Sequence, residues 1–548
     1  MRRTVPARIV LVSSAILLFS LLASLLVMLT LHREISVGAA AEFTGVLTYH
    51  NDSLRTGRNT SETTLTLKNV NSTTFGKLFV IPTDGLVDAQ PLYVPNVIIP
   101  GKGTHNVLFV ASERDMVYGF DADSGSILWQ ATALAANETP SDNRGCGQVT
   151  PEIGITSTPV IDLSAGLHGT IYLVAMSKDA SSNYHQRLHA LDITTGAEEF
   201  GGPVNIAAKY PGTGDNSQGG YVVFDPKQYK ERAALLLVNH VVYTTWASHC
   251  DDRPYTGWII SYNETTLAQE SVLNVTPNGN GGAIWASSGP TADPDGSIYF
   301  LDANGTADTN LNASGFPVEG DYGNAIVKLS IKKNQLTVTD YFNMYNTVSE
   351  SAVDEDLGSG GAMVVPNFKD ASGVLHYLVV GAGKDKNIYL VDRLNMGKFN
   401  PNNNSQIYQE VTGALAGGVF STPTFYGKTI YYGAVNDAIK AFSFNADGML
   451  NPTPASKTAT VFPFPGVTPS ISGNSPQNLI LWAAENTSPA VLYAYSANSL
   501  GVELYNSNQA AGGRDHFGEG NKFITPTIAN GKVYVGTTTG VGVFGLLP

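Results

Sequence analysis

The 548-residue sequence predicts an all-β protein, an eight-bladed β-propeller in which an N-terminal strand closes the last blade. Three observations carry this. A strand–turn–strand unit recurs along the chain, and beyond residue 42 no amphipathic helix of any length interrupts it. The last copy of the unit lacks its outer strand, and an unassigned apolar run stands ahead of the first copy.

The unit is plainest at VYGFDADSGSILWQ (117–130), where a β-branched and aromatic run breaks at Asp121 to Gly125 and resumes toward Trp129. Carboxylates in such a break bond nearby amides, and glycine accepts the positive φ of a tight turn. RLHALDITTGAEEF (187–200), NIYLVDRLNMGKF (387–399) and VLYAYSANSLGVELY (491–505) repeat it. Thr-Pro entries recur in STPVID (157–162), STPTFYGKTIYYGAVNDAIKAF (421–442) and ITPTIANGKVYVGTTTGVGVFG (524–545). These landmarks define eight blocks, at about 86–135, 154–205, 233–276, 283–343, 358–412, 417–465, 468–508 and 522–548. The eighth is short by one strand, and FGKLFVIP (75–82) is expected to supply it. The physical reason is closure: a four-stranded sheet of this size cannot bury both faces alone, and a ring gives every sheet two neighbours. A pair of β-sandwiches would not make one block recur over the whole chain.

Ahead of the repeats, Arg2, Arg3 and Arg8 precede about 23 apolar residues (9–31), long enough to cross a bilayer with the positive flank in the cytoplasm. Residues 1–41 are therefore expected to be a leader, either a cleaved signal with its small-residue site at 38–41 or an uncleaved transmembrane anchor. Residues 42–74 form an N-terminal extension and 75–548 the propeller. The expected location is extracytoplasmic, in the cell envelope or secreted, with the membrane reached through the N-terminal segment.

Apolar residues make up 43% and charged residues 14%, a core-forming composition. A net charge of −14, with no basic cluster beyond the leader, argues against a nucleic-acid partner. The two cysteines, Cys146 and Cys250, are expected to pair in an oxidising compartment. Two cysteines so far apart exclude a CxxC redox site, a four-cysteine zinc site and a CxxCH haem attachment.

The hairpin at 117–129 resembles the tryptophan-docking motif of the PQQ-repeat (quinoprotein alcohol dehydrogenase-like) propellers, where PQQ is pyrroloquinoline quinone. The resemblance extends over roughly 75–548, although Phe200 and Phe399 stand where the motif has tryptophan. It implies that Trp129 packs between blades as a structural residue. The family includes quinone-dependent dehydrogenases and non-catalytic envelope proteins, so fold does not decide function. Its dehydrogenases carry an adjacent cysteine pair and a Glu, Asn, Asp calcium set. This sequence has no adjacent cysteines, and the calcium set cannot be matched residue by residue.

In a propeller the loops between blades and those joining second to third strands open on one face, where ligands sit. Those loops hold Cys146 and Cys250, Lys178 and Asp179, Asp251 and Arg253, Trp285, Asp302 and Asn304, Asp356, Lys384 and Asp385, Glu485, and 514–516. Lys178, Trp285, Lys384, Asp385 and Arg514 are candidates for cofactor contact, with a surface ion pair the alternative use of Lys384 and Arg514. Asp302 and Asn304 offer oxygens to Ca²⁺, and Asp302 is the candidate catalytic base, against the alternative of a solvated turn residue beside Gly305. DANGTADTN (302–310) lacks the closing glutamate of an EF-hand loop.

The sequence thus predicts a binding protein for a small molecule, a glycan or an envelope protein. The alternatives are a PQQ- and Ca²⁺-dependent alcohol or sugar dehydrogenase and a cell-surface glycan binder.

Overall fold

A computed structural model describes residues 43–548. The expected leader, 1–41, lies outside the described residues, among which no helix is long and apolar enough to cross a membrane. Among the described residues the structure is all-β, apart from the short helix Thr347–Ala352 and two 3₁₀ turns.

Eight sheets among the described residues contain a four-strand antiparallel meander. Sheet 1 runs through Leu92–Ile99, Gly103–Ala111, Met116–Asp121 and Ile127–Thr132, and sheets 2 to 8 follow in chain order, starting at Val160, Leu236, Thr291, Met363, Thr424, Ser470 and Thr527. The hairpin turns form as their composition dictates. Asp121 Oδ1 accepts from Ser124 N at 2.7 Å and Asp123 N at 3.0 Å, and Gly125 closes the turn at φ +76. Asp192 repeats this with Thr194 N at 2.7 Å, ahead of Gly196 at φ +72.

Sheet 8 has three strands of its own, and Phe75–Pro82 is its fourth. That segment pairs antiparallel with Gly540–Leu546, from Phe75 opposite Leu546 to Pro82 opposite Gly540, with a bulge after Lys77. The expected closure is present.

Contacts run from each sheet to the next. Val242, Trp258 and Ile260 of sheet 3 share a core with Tyr172 and Leu188 of sheet 2. Corresponding apolar clusters join sheets 3 and 4, 4 and 5, 5 and 6, 6 and 7, and 7 and 8. Sheet 8 returns to sheet 1 through the Tyr534 and Tyr93 rings, 6.1 Å apart, and through the Tyr534 hydroxyl, which donates to Ala122 O at 3.4 Å.

Sheets 1 and 2 meet at Trp129. Its Nε1 donates to Ile193 O at 2.8 Å, and its ring covers Gly196 so closely that a Cβ there would lie 2.5 Å from it. The indole is a wedge between sheets. We expect Trp129→Phe, which leaves the Ile193 carbonyl without its donor, to cost about 1–3 kcal/mol in urea unfolding. An unchanged midpoint would contradict the wedge role.

The segment ahead of the closing strand is no loose appendage. Residues 46–59 touch the first strands of seven of the eight sheets and, in sheet 3, the residue that adjoins the first strand. Val46 N donates to Tyr93 O at 2.8 Å, and Leu47 O accepts from Ile161 N at 2.8 Å. Ser53 O accepts from Ala292 N, Leu54 O from Val364 N, Thr56 O from Phe425 N and Gly57 O from Ile471 N, at 2.7–3.0 Å. Asn59 Nδ2 donates to Ile528 O at 2.9 Å, and Arg55 Nη2 to Leu235 O at 3.0 Å. Amides and carbonyls that strands facing a central channel would leave unpaired are thus satisfied by the chain itself.

Candidate functional site

A cavity of about 420 Å³ opens among the loops that lead into the sheets, a size suited to a small molecule. Its aromatic wall comes from entry segments: Trp285 precedes sheet 4, Phe420 sheet 6, Phe464 sheet 7 and Phe523 sheet 8. Trp285 and Phe420 lie 6.0 Å apart by ring centroid, and Phe420 and Phe464 5.2 Å apart, edge to face. Each ring follows or falls within a glycine- or proline-rich stretch, where no ladder of backbone bonds fixes the chain and side-chain packing does so instead.

The opposite character comes from one short strand. Tyr229–Lys230 pairs with Ala247–Ser248, and alternation sends Lys230 and Arg232 to the cavity and Glu231 behind it. Lys230 is 3% exposed and Arg232 8%. Neither makes an ion pair among the described residues. Arg232 donates to Trp285 O at 2.9 Å and Ser287 Oγ at 3.2 Å, and its guanidinium lies 3.7 Å from the Phe523 ring centroid. Burial, reinforced by the Arg232 charge, pulls the Lys230 ammonium down to about 8, and burial pulls Arg232 to about 10. Glu231, behind the wall, is pushed well up by burial. The cavity therefore presents two desolvated positive charges beside aromatic rings, neither in an ion pair, with Asp251 on the same lining and its charge, with those of Glu113 and Asp88, acting on Lys230.

The disulfide sits here too. Cys146 and Cys250 are joined, 104 residues apart in sequence, and Cys250 lines the cavity. It ties the loop before sheet 2 to the loop inside sheet 3. His249, next in the chain, is buried with neither ring nitrogen bonded, and burial with the Lys230 charge lowers it to about 3.

On the remaining side stands an acidic group. Lys384 Nζ lies 2.5 Å from Asp354 Oδ1 and 2.5 Å from Asp356 Oδ1. Asp356 is fully buried and takes a hydrogen bond from Trp285 Nε1 at 3.4 Å. Burial raises its carboxyl to about 6 against the opposing pull of Lys384. Asn304 Nδ2 donates to Asp354 Oδ1 at 3.0 Å, while its Oδ1 is buried without a partner. Two carboxylates and an amide oxygen resemble part of a calcium set, but an ammonium already lies between the carboxylates. Ca²⁺ takes about six to eight oxygens, so the residues as arranged suit Lys384 and not that ion.

Of the residues expected from sequence, the structure brings Trp285, Lys384, Cys250 and Asp251 to the cavity and places Asn304 against its acidic edge. Asp302 lies inside sheet 4, fully buried, with Oδ1 accepting from Ala325 N at 2.5 Å and Oδ2 unpartnered. Burial pushes its carboxyl well up, and it does not line the cavity. Lys178 pairs with Asp142 at 3.8 Å in sheet 2, away from the cavity. Asp385 accepts from Tyr389 Oη at 2.5 Å and is not on the wall. Arg514 is structural: it pairs with Asp515 at 2.8 Å and donates to Ser72 O at 3.3 Å, and Asp515 Oδ1 accepts from Lys77 N at 3.1 Å, so the two fasten the closing strand. Sequence reasoning missed Lys230, Arg232, Asp354 and three phenylalanines. The signal for the first two was KER (230–232), an alternating charged triplet running straight into the apolar stretch 233–238.

Neither a protein-family model nor a curated protein matches the sequence. Solved structures do. The chain is similar to the quinohemoprotein alcohol dehydrogenase of Comamonas testosteroni, at 14% identity over 93% of this chain and 81% of that one, with a TM-score of 0.61. It is also similar to a europium-containing methanol dehydrogenase, at 13% identity over 92% of this chain and 99% of that one, TM-score 0.59. The quinohemoprotein alcohol dehydrogenase ADHIIG of Pseudomonas putida gives 12% identity over 92% and 80%, TM-score 0.57. The fold is that of the quinoprotein dehydrogenase propellers.

Proposed function

We propose that the eight sheets are the blades of one closed ring whose loop-lined cavity binds a planar, anionic aromatic molecule, with PQQ as the representative ligand. The observation that carries this is the pair Lys230 and Arg232: desolvated cations that make no ion pair among the described residues and outnumber the one carboxylate beside them, Asp251, on the same wall as Trp285, Phe420, Phe464 and Phe523. Leaving charge buried and unmatched is costly, and an anion entering the cavity recovers that cost. Flat aromatic rings offer stacking to a flat ligand. A neutral glycan would use the rings and leave the cations unmatched. The leader sequence and the disulfide favour a place outside the cytoplasmic membrane.

PQQ carries carboxylates and a fused aromatic system, so the residues present fit it. Arg232 and Lys230 would hold its carboxylates, and Trp285 with the phenylalanines would flank its plane. Equilibrium dialysis of PQQ against the full chain, without added Ca²⁺, tests this. One bound equivalent is expected, weakened by salt; no retention at micromolar protein, or retention unaffected by salt, would count against it.

A second reading, an alcohol or sugar dehydrogenase, is favoured by Asp356. Bound PQQ would supply a two-electron acceptor. Asp356, fully buried directly behind Trp285 and Lys384 of the cavity lining, would take the hydroxyl proton. A base must be ionised, so dye-linked alcohol oxidation should rise as pH increases through about 6 and lose that step in Asp356→Asn. PQQ retention without any oxidation across an alcohol and aldose panel leaves binding alone.

A further inference from the structure

We propose that Asp162, His240 and Glu264 form a binding site for a divalent transition-metal ion of the zinc class, clasping sheets 2 and 3 on the face opposite the cavity. Asp162 ends the first strand of sheet 2, His240 lies in the first hairpin of sheet 3, and Glu264 follows that sheet's third strand. First-to-second strand turns and third-strand ends share a face, whereas the cavity is built from the other loop set.

One ligand atom from each residue lies within 4.8 Å of the others. Glu264 is 5% exposed, and its Oε2 is buried with no partner. Its Oε1 meets His240 Nδ1 at 2.5 Å, and its other neighbour is the Asp162 carboxyl. Asp162 is oriented by Ser164, whose N and Oγ both reach Oδ1 at 2.7 Å. Two facing carboxylates repel unless a proton or a cation lies between them. Burial raises the Glu264 carboxyl, and the Asp162 charge adds to this against the His240 hydrogen bond.

The repeat supplies its own comparison. His105 with Asp121 (2.5 Å) in sheet 1 and His168 with Asp192 (2.7 Å) in sheet 2 pair at the corresponding end of their sheets, whereas in sheet 3 Asn263 takes the aspartate's place and the pair is shifted one residue, to His240 and Glu264. The first two are simple ion pairs, and neither belongs to a three-ligand group. Sheet 3 differs in the carboxylate lent by its neighbour and in the orphaned oxygen. The site is also braced across the joint, since Tyr172 Oη of sheet 2 donates to Glu264 O at 3.0 Å. His240 sits at φ +64 in an Asn-His turn that leaves its side chain 77% exposed, open to an arriving ion. One imidazole and two carboxylates with a fourth position for water suit Zn²⁺, whereas Ca²⁺ needs more oxygens.

The test is titration of the tag-free full chain, first stripped with chelator, with Zn²⁺ alone, followed by calorimetry and thermal melting. The expected result is one equivalent bound and a Tm that rises with Zn²⁺. His240→Ala, at an exposed turn, should weaken binding at least about tenfold and remove the Tm rise, as should Glu264→Gln, while His168→Ala should leave both unchanged. No binding, or the same isotherm and Tm rise in His240→Ala as in the parent, overturns the proposal.

Discussion

Arg55→Leu should lower stability by about 3–5 kcal/mol, making it among the most damaging single substitutions outside the sheets. Arg55 is fully buried and spends its donors on four acceptors: Thr48 Oγ1 at 2.7 Å, Tyr49 O at 3.0 Å, Leu235 O at 3.0 Å and Pro290 O at 3.1 Å. Leu235 adjoins the first strand of sheet 3, and Pro290 immediately precedes that of sheet 4. Burial draws the guanidinium down only to about 10, so it stays charged at neutral pH. Leucine would fill the stem's volume and leave these carbonyls without donors in a place water does not reach. Urea unfolding of Arg55→Leu beside the exposed Lys457→Ala measures this; equal midpoints would show that the N-terminal thread does not hold the sheets together.

Arg232→Leu should act in the opposite direction on the two quantities it touches. In the unliganded protein it removes a buried, unpaired charge and relieves repulsion with Lys230, so Tm should rise. The Trp285 carbonyl and Ser287 hydroxyl it abandons border the cavity, where water can replace the lost donors. For an anionic ligand the same change deletes the matching cation, at about 2–5 kcal/mol of affinity, some thirtyfold to several thousandfold. Thermal melting and dialysis on one preparation read both. A variant that loses stability while keeping PQQ affinity would assign Arg232 to the fold and not to a ligand.

Architecture was largely legible in the sequence because it rests on local chemistry. Asp121 and Asp192 make their turns with amides two and three residues on, and these bonds are specified by adjacent residue types. The closing strand was legible as an apolar run with nothing to pair with, in a chain whose last block was one strand short. The thread at 46–59 was not, because its partners are hydrogen-bonded through their backbone atoms in seven sheets and beside sheet 3, and backbone partners leave no mark in composition.

At the site the division follows the same lines. Trp285, Lys384, Cys250 and Asp251 were found by asking which loops share a face, a question topology answers. Asp302 and Asp356 were both named from such loops, and both are fully buried off the cavity lining; their contacts separate them. Asp302 is sealed behind Ala325 N, while Asp356 meets Trp285 and Lys384 at the wall. Lys230 and Arg232 were hidden because a charged triplet on a surface strand reads as solvated, and here the loops of neighbouring sheets cover it.

The central claim is that desolvated cations and aromatic rings on one wall form a receptor for a flat anion. Determining the structure of the full chain crystallised with saturating PQQ tests it most directly. The account predicts the ligand's ring plane beside Trp285, with carboxylate oxygens at Arg232 and Lys230. A cavity left empty at saturation, or the ligand seated elsewhere with both cations still unmatched, would contradict it.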